Sequence, residues 1–456
     1  MSRSVKVALV AGLALGVASC STARNLWPFG GDDRPDAVAS AGERISIIEF
    51  EQSLAPSAAL AGRDFFLPGP QAITAWPLPG GTPEQSIEHA AAAEAFSVAW
   101  RTNIGSGSSR DTQVTSPVVA SDGRIFVMDG EATVTAVDAA SGRVAWRTNL
   151  RPEGERSGFG GGLAVGGGKV FAVSGYRLAA ALDPATGAVL WTTRVEAPIH
   201  GAPTVAAGRV MAVDVDNQIL AFDVNTGELS WSHQAIAEPA RILRASSPAV
   251  TGDTVIAPFS SGELIALRAA NGQSLWTQVL SRTSRTNALS EIRDIAGRPV
   301  VSRGFVYAIS HSGVMASMDV RTGAPRWQLP LAGVNAPWVA GDVVYAVSGA
   351  GELVAANREN GQVYWIRNLN EGRERKEGGF LGIGDRIVRP IWSGPVLASN
   401  RLVLVNSEGE AVALDPKTGH QTAAINMGAG PAYIAPIAYQ GALYVLTNDG
   451  RLVSIR

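Results

Sequence analysis

Short apolar runs separated by turn residues fill the chain from residue 95 to its end. Val170-Phe171-Ala172-Val173 and Val343-Val344-Tyr345-Ala346-Val347 are examples. Runs of that length between turn signals predict buried strands, and no helix is predicted in this region. One unit organises the runs, clearest in Leu182-Asp183-Pro184-Ala185-Thr186-Gly187-Ala188-Val189-Leu190-Trp191. It returns at Val137-Asp138 with Ser141-Gly142 and Trp146, at Phe222-Asp223 with Thr226-Gly227 and Trp231, and at Met318-Asp319 with Thr322-Gly323 and Trp327. Arg268 and Asn357 replace the Asp in two copies that keep Asn271-Gly272 with Trp276 and Asn360-Gly361 with Trp365. Leu414-Asp415 with Thr418-Gly419 has Ala423 in the Trp place, and Trp100 stands without a turn before it.

Each part of the unit has a physical task. The Asp opens a tight turn, where its carboxylate accepts backbone N–H bonds, and the Thr hydroxyl joins that network. The Gly takes a positive φ without steric strain. The unit therefore predicts strand, turn, strand, with the Trp on the second strand as an apolar plate. A single hairpin cannot bury such a plate, but stacked copies can. From Trp100 to Trp365 the intervals are 46, 45, 40, 45, 51 and 38 residues. All-strand periods of that size predict four-stranded propeller blades, with Trp100, Trp146, Trp191, Trp231, Trp276, Trp327 and Trp365 docking each blade on the next.

Seven blades open with Pro after a small or polar residue: Ser116-Pro117, Ala202-Pro203, Ser247-Pro248, Arg298-Pro299, Ala336-Pro337, Gly394-Pro395 and Ala435-Pro436. Pro is tolerated at the first residue of a strand, where no ladder donor is needed. The last blade, from Ile434 to Arg456, supplies only three strands. The orphan strand at 95–104 is predicted to complete it, since ring closure removes free edges. The expected fold is all-β: an eight-bladed propeller over residues 95–456, closed by the N-terminal strand. Two inserts, Ser281–Ala296 and Asn368–Trp392, interrupt the rhythm, and long loops on a regular scaffold commonly carry function.

The first 94 residues follow other rules. Arg3 and Lys6 precede the apolar run Val7–Val17, which is too short to span a bilayer and predicts a secretory signal peptide over residues 1–20. It ends Leu15-Gly16-Val17-Ala18-Ser19-Cys20, which resembles a bacterial lipobox. Cys20, the single cysteine, is then the expected lipid (palmitate) attachment site and mature N-terminus. One exported cysteine provides no disulfide framework. Ser21, where an Asp would favour inner-membrane retention, points to the outer membrane. Residues 21–43 have the composition of a flexible tether. Residues 44–94 are expected to be irregular and to lie across the propeller, with a short helix starting at Thr82-Pro83-Glu84-Gln85.

Composition narrows the chemistry. Of 456 residues only 17% are charged and the net charge is −2, which provides no basic footprint for nucleic acid. The five histidines, His89, His200, His233, His311 and His420, lack metal-ligand spacing. Leu163 and Val170 break a P-loop reading of the glycine-rich stretch 158–168. The ordered carboxylates belong to turns. No catalytic residue, metal site or cofactor is predicted.

The repeat Ala/Leu-x-Asp-x-x-Thr-Gly-x-x-x-Trp resembles the blade motif of pyrroloquinoline-quinone-type propellers, and it covers residues 95–456. Within that group the quinoprotein alcohol dehydrogenases use calcium, a catalytic Asp and usually a vicinal Cys pair, which a single cysteine cannot supply. The signal peptide, lipobox, tether and eight blades together resemble the BamB family, the propeller lipoproteins of the outer-membrane β-barrel assembly machine. The run from Pro299 through Tyr307 to Gly323 is similar to a blade of that family. The resemblance implies a partner, the barrel-inserting (BamA-like) subunit, docked through its periplasmic domains on loops entering two adjacent blades. By position it implies Leu243, Arg244 and Asp294 as contact residues, with Ala296 where the family often has a second Asp; ordinary loop packing is the other reading of these three. The implied function is that of a lipid-anchored scaffold, not an enzyme, on the periplasmic face of the outer membrane. It would bind the barrel-inserting subunit and, in addition, unfolded barrel substrates. Two alternatives stay open: a quinone-binding, dehydrogenase-like propeller, and a cell-envelope propeller with another partner.

Overall fold

Asp183 shows how one copy of the repeat folds. Its Oδ1 accepts the backbone N–H groups of Ala185 and Thr186 at 2.9 and 2.8 Å and the Thr186 hydroxyl at 2.8 Å. Gly187 follows at φ +75°, a conformation in which a Cβ is strained. Asp138, Asp223, Asp319 and Asp415 make the equivalent turns. The bonds favour the ionised form and hold several of these carboxyls below the usual range. The chief cause is the Ser141 hydroxyl for Asp138, the Thr186 hydroxyl for Asp183 and the Asn225 N–H for Asp223.

The computed structural model describes residues 54–155, 157–238, 242, 246–281, 292–378 and 386–456. The signal peptide, Cys20 and the tether fall outside them. Within them the chain forms eight four-stranded antiparallel sheets and one two-stranded hairpin. Blade 1 contains Val119–Ser121, Arg124–Met128, Thr133–Asp138 and Val144–Asn149, running from the axis outward. Blades 2 to 7 repeat that order. Blade 8 consists of Ile437–Tyr439, Ala442–Leu446 and Arg451–Ile455, and its outer strand is Val98–Asn103. Trp100 pairs with Ser454 and Asn103 with Arg451. Ser97 and Arg456 then exchange backbone bonds at 2.7 and 2.8 Å. The ring is an eight-bladed propeller, closed by its N-terminal strand. Blade 2 lacks the opening Pro and starts on the glycine-rich strand Gly161–Gly166. There a Cβ on Gly162 would lie 2.5 Å from Ala202 of blade 3.

The indoles sit at the blade junctions. A Cβ on Gly187 would lie 2.5 Å from the Trp146 ring, so each turn glycine leaves space for the previous blade's Trp. Gly142, Gly227, Gly272, Gly323, Gly361 and Gly419 face Trp100, Trp191, Trp231, Trp276, Trp327 and Trp365 in the same way. Five indole N–H groups cross the junction to the carbonyl just after the turn's first residue, at Pro184, Val224, Ala269, Val320 and Arg358. At Trp100 and Trp365 the equivalent carbonyls, Ala139 and Pro416, accept the Tyr444 and Tyr345 hydroxyls instead, each at 2.9 Å. Those two indole nitrogens have no hydrogen-bond partner. Ala423 occupies the Trp place in blade 7. Its neighbour is blade 8, whose closure has no turn glycine to receive a ring.

Residues 65–94 form a strap across one end of the axial channel. Trp76 makes a bridge with Ala120 of blade 1, the Pro77 carbonyl accepts from Val165 of blade 2, and Pro83 and Glu84 accept from Val250 of blade 4 and Val301 of blade 5. Trp76 is 1% exposed and stacks on Trp338 of blade 6, with centroids 6.4 Å apart. The helix expected at Thr82 is not formed. Thr82 and Gln85 close a turn, and Gln85 takes φ +60°, which ends any helical path. The carbonyls that a helix would use internally go to blades 4 and 5, and Gln85 Nε2 binds Thr204 Oγ1 and the Pro248 carbonyl. Among the described residues the single helical element is the 3-10 turn Ala58–Leu60.

Candidate partner-docking face

The two ends of the ring differ. The strap covers the end carrying the first hairpin of each blade. The other end carries the connections between blades and the starts of the innermost strands. The connection from blade 3 to blade 4 is pinned there by buried polar side chains. Asn217 donates to the Ile236 carbonyl at 2.6 Å and accepts the Ser260 N–H and hydroxyl at 3.1 and 2.6 Å. Glu263, also buried, accepts the Ile236 N–H and the Ser261 hydroxyl, both at 2.9 Å. Ile236 itself is 63% exposed, an apolar side chain held out by a rigid backbone.

Asp294, on the connection from blade 4 to blade 5, reaches across to this loop. It is 7% exposed, and its Oδ2 accepts the Ile242 N–H at 2.7 Å. Its carbonyl accepts the His311 N–H at 3.0 Å. Leu243 and Arg244 lie outside the described residues, but their neighbour Ile242 is thus placed beside Asp294. The charged insert before blade 7 carries the hairpin Arg375–Glu377 with Arg386–Val388. Arg373 pairs with Glu410, Arg375 with Glu408, and Arg389 with Glu374 at 2.8 Å. Ile387 and Ile391 are about half exposed on it. The same face thus presents apolar side chains and charges on ordered loops, a combination suited to a protein partner.

The histidines take separate places. His89 belongs to the strap: its Nδ1 lies 2.6 Å from the Pro68 carbonyl and its Nε2 accepts the Asn400 N–H at 2.9 Å. This arrangement requires the neutral ring, and burial lowers its pKa. Among the described residues no three His, Cys, Asp or Glu side chains gather in a metal-like group. An axial pocket of about 420 Å³ opens on the docking face, with Pro79 of the strap and Ile242 among its lining residues.

Sequence reasoning missed Asn217 and Glu263, which look like ordinary turn residues in one dimension, and it missed the strap's ties. Glu88 is one of those ties: its Oε2 accepts the Gly341 N–H at 3.1 Å, and its carboxylate pairs with Arg303 at 3.1 Å. The available signal was a polar Glu-His pair set against Ala90–Ala93.

A model of the family described as outer membrane protein assembly factor BamB matches residues 85–157 and 153–367. The assembly factor BamB of Burkholderia pseudomallei is 25% identical over 361 residues, covering 78% of this chain and 87% of the relative. That of Escherichia coli K12 is 24% identical over 397 residues, covering 78% and 88%. The crystal structure of BamB from Moraxella catarrhalis superposes with a TM-score of 0.64 at 20% identity, over 78% of this chain and 99% of that one. Quinohemoprotein alcohol dehydrogenase from Comamonas testosteroni also reaches 0.64, at 15% identity, over 84% and 80%. At such identities the two superpositions establish the shared propeller and nothing further.

Proposed function

The chain belongs to the outer membrane protein assembly factor BamB family, and on that premise we propose that it is a scaffold for outer-membrane protein assembly. It is tethered through a lipid on Cys20 to the periplasmic face of the outer membrane and acts by binding, without a cofactor. Its docking face receives the barrel-inserting, BamA-like subunit. The observation that supports this reading is the Asp294–Ile242 bond, which ties Ile242 of one connection to the neighbouring connection. Leu243-Arg244, next in sequence to Ile242, pairs an apolar side chain with an Arg, a combination suited to an interface anchor. Unfolded barrel segments are a second client, paired along the outer strands, which lie at sheet edges.

Affinity capture from solubilised outer membranes tests the docking. Arg244→Glu should reduce recovery of the barrel-inserting subunit by about ten-fold, in keeping with a hot-spot residue, while the melting temperature stays the same. Undiminished recovery would remove Arg244 from the contact. Cys20→Ser should release the protein from the membrane fraction, and a mature N-terminus without the mass of added acyl chains would contradict the anchor.

A further inference from the structure

The residues before the opening prolines form a ring around the axis. Six of them are small: Ser116, Ala202, Ser247, Ala336, Gly394 and Ala435. The seventh is Arg298, just before the inner strand Val300–Ser302 of blade 5. It lines the axial pocket and is the single charged side chain among the described residues that do so.

Among the described residues nothing balances this charge. The Nε is buried without a hydrogen-bond partner. Among the described residues Arg298 has no ion pair and no ring stacked on its guanidinium. The side chain lies deep in the ring yet keeps partial solvent contact through the pocket. Burial alone pulls its pKa down to about 10, so it remains charged at neutral pH. A desolvated cation without a counter-charge opposes folding, and an arriving anion would relieve that cost. Arg358, which is 1% exposed, is served differently, by the Gly341 carbonyl at 2.9 Å, Ser302 Oγ at 3.2 Å and Glu88 at 4.0 Å.

The rest of the pocket indicates what the anion is attached to. Its volume of about 420 Å³ suits a small ligand or the last residues of a chain. Val114, Ile242, Val334 and Ile434 make apolar wall. The Gln113 side chain and the Tyr433 hydroxyl have no protein partner among the described residues. We propose that the axial pocket binds a single carboxylate carried on an apolar body, with the carboxylate on the Arg298 guanidinium and the body against the aliphatic wall. One guanidinium matches one carboxylate in a bidentate pair, whereas a phosphate dianion would leave charge unbalanced. The carboxylate can come from the C-terminus of a polypeptide or from a small organic acid. This site does not depend on the docking of the barrel-inserting subunit.

Calorimetric titration of the full chain tests it with three probes: an acetylated tripeptide of apolar residues as the free acid, the same tripeptide as the C-terminal amide, and hexanoate. The free acid should bind one to one, and the amide about ten-fold or more weaker, as expected for loss of a charge-assisted pair. Arg298→Met should abolish the preference for acid over amide, and Arg298→Lys should keep part of it. Tighter binding of the peptide acid assigns the site to chain termini, and tighter binding of hexanoate assigns it to free acids; either supports the carboxylate site. Equal binding of acid and amide by the native chain, or no binding of either acid, overturns it, and that comparison needs no variant to fold. A preference unchanged in Arg298→Met also overturns it. Loss of partner capture in Arg244→Glu with carboxylate binding intact would separate this site from the proposed docking function.

Discussion

The strapped end and the proposed docking end of the ring handle buried polarity in opposite ways. At the strapped end the cation and the imidazole are matched: Arg358 has carbonyl, hydroxyl and carboxylate partners, and His89 uses both ring nitrogens. At the docking end the loops are pinned from beneath by Asn217, Glu263 and Asp294, but Arg298, Ile236 and Ile391 are left facing outward or into the channel. Saturated interactions make a seal, and unsatisfied ones leave a surface able to gain from binding. The ring is the same on both sides, so the difference resides in the connections and the strap.

The contrast can be broken at its strongest point by Trp76→Ala. Removing a fully buried indole should cost about 4 kcal/mol, seen as a large fall in the urea midpoint; a loss below about 1 kcal/mol would mean that the strap is not part of the cooperative unit. The paired substitutions Arg358→Met and Arg298→Met sharpen it. The first should destabilise by about 3 kcal/mol because it removes the buried guanidinium that serves the Gly341 carbonyl and Ser302. The second should leave stability within about 0.5 kcal/mol of native or raise it. Equal losses would erase the distinction. Gly187→Ala, neutral with respect to the two ends, should cost about 1–2 kcal/mol, since its Cβ meets Trp146 at a positive φ. The smallest effect is on pH. The lowered pKa of His89 means that its contribution is complete above the ordinary 6.5 and fades as pH falls through the lowered value. His89→Gln should remove that fading from the melting temperature between neutral and mildly acidic pH.

The ring was legible because its signals are local and repeated. Asp, Thr and Gly fix each turn within a few residues, and the Trp spacing counts the blades. The orphan Trp100 strand even indicated where the circle closes. The strap was not legible in the same way. Its partners lie on all eight blades, so Thr82-Pro83 carried a helix signal that distant acceptors and donors overrode. The docking face was only partly readable. Asp294 proved to be a buried cap for Ile242, and Leu243 and Arg244 lie outside the described residues. Arg298 was visible from the start as one of seven strand openers, but its isolation is apparent only when the other six are seen around one axis.

Closure through the pairing of residues 98–103 with 451–455 has a further consequence for the chain's biogenesis. Ser97 and Arg456 are 359 positions apart, so the outer strand of blade 8 waits unpaired until its partner strand has been made. Contacts this remote form late. A product cut short by even one hairpin would keep an open sheet edge and an unsealed circle, exposed to proteolysis. The two ends of the ring thus verify, by meeting, that every blade between them has been made.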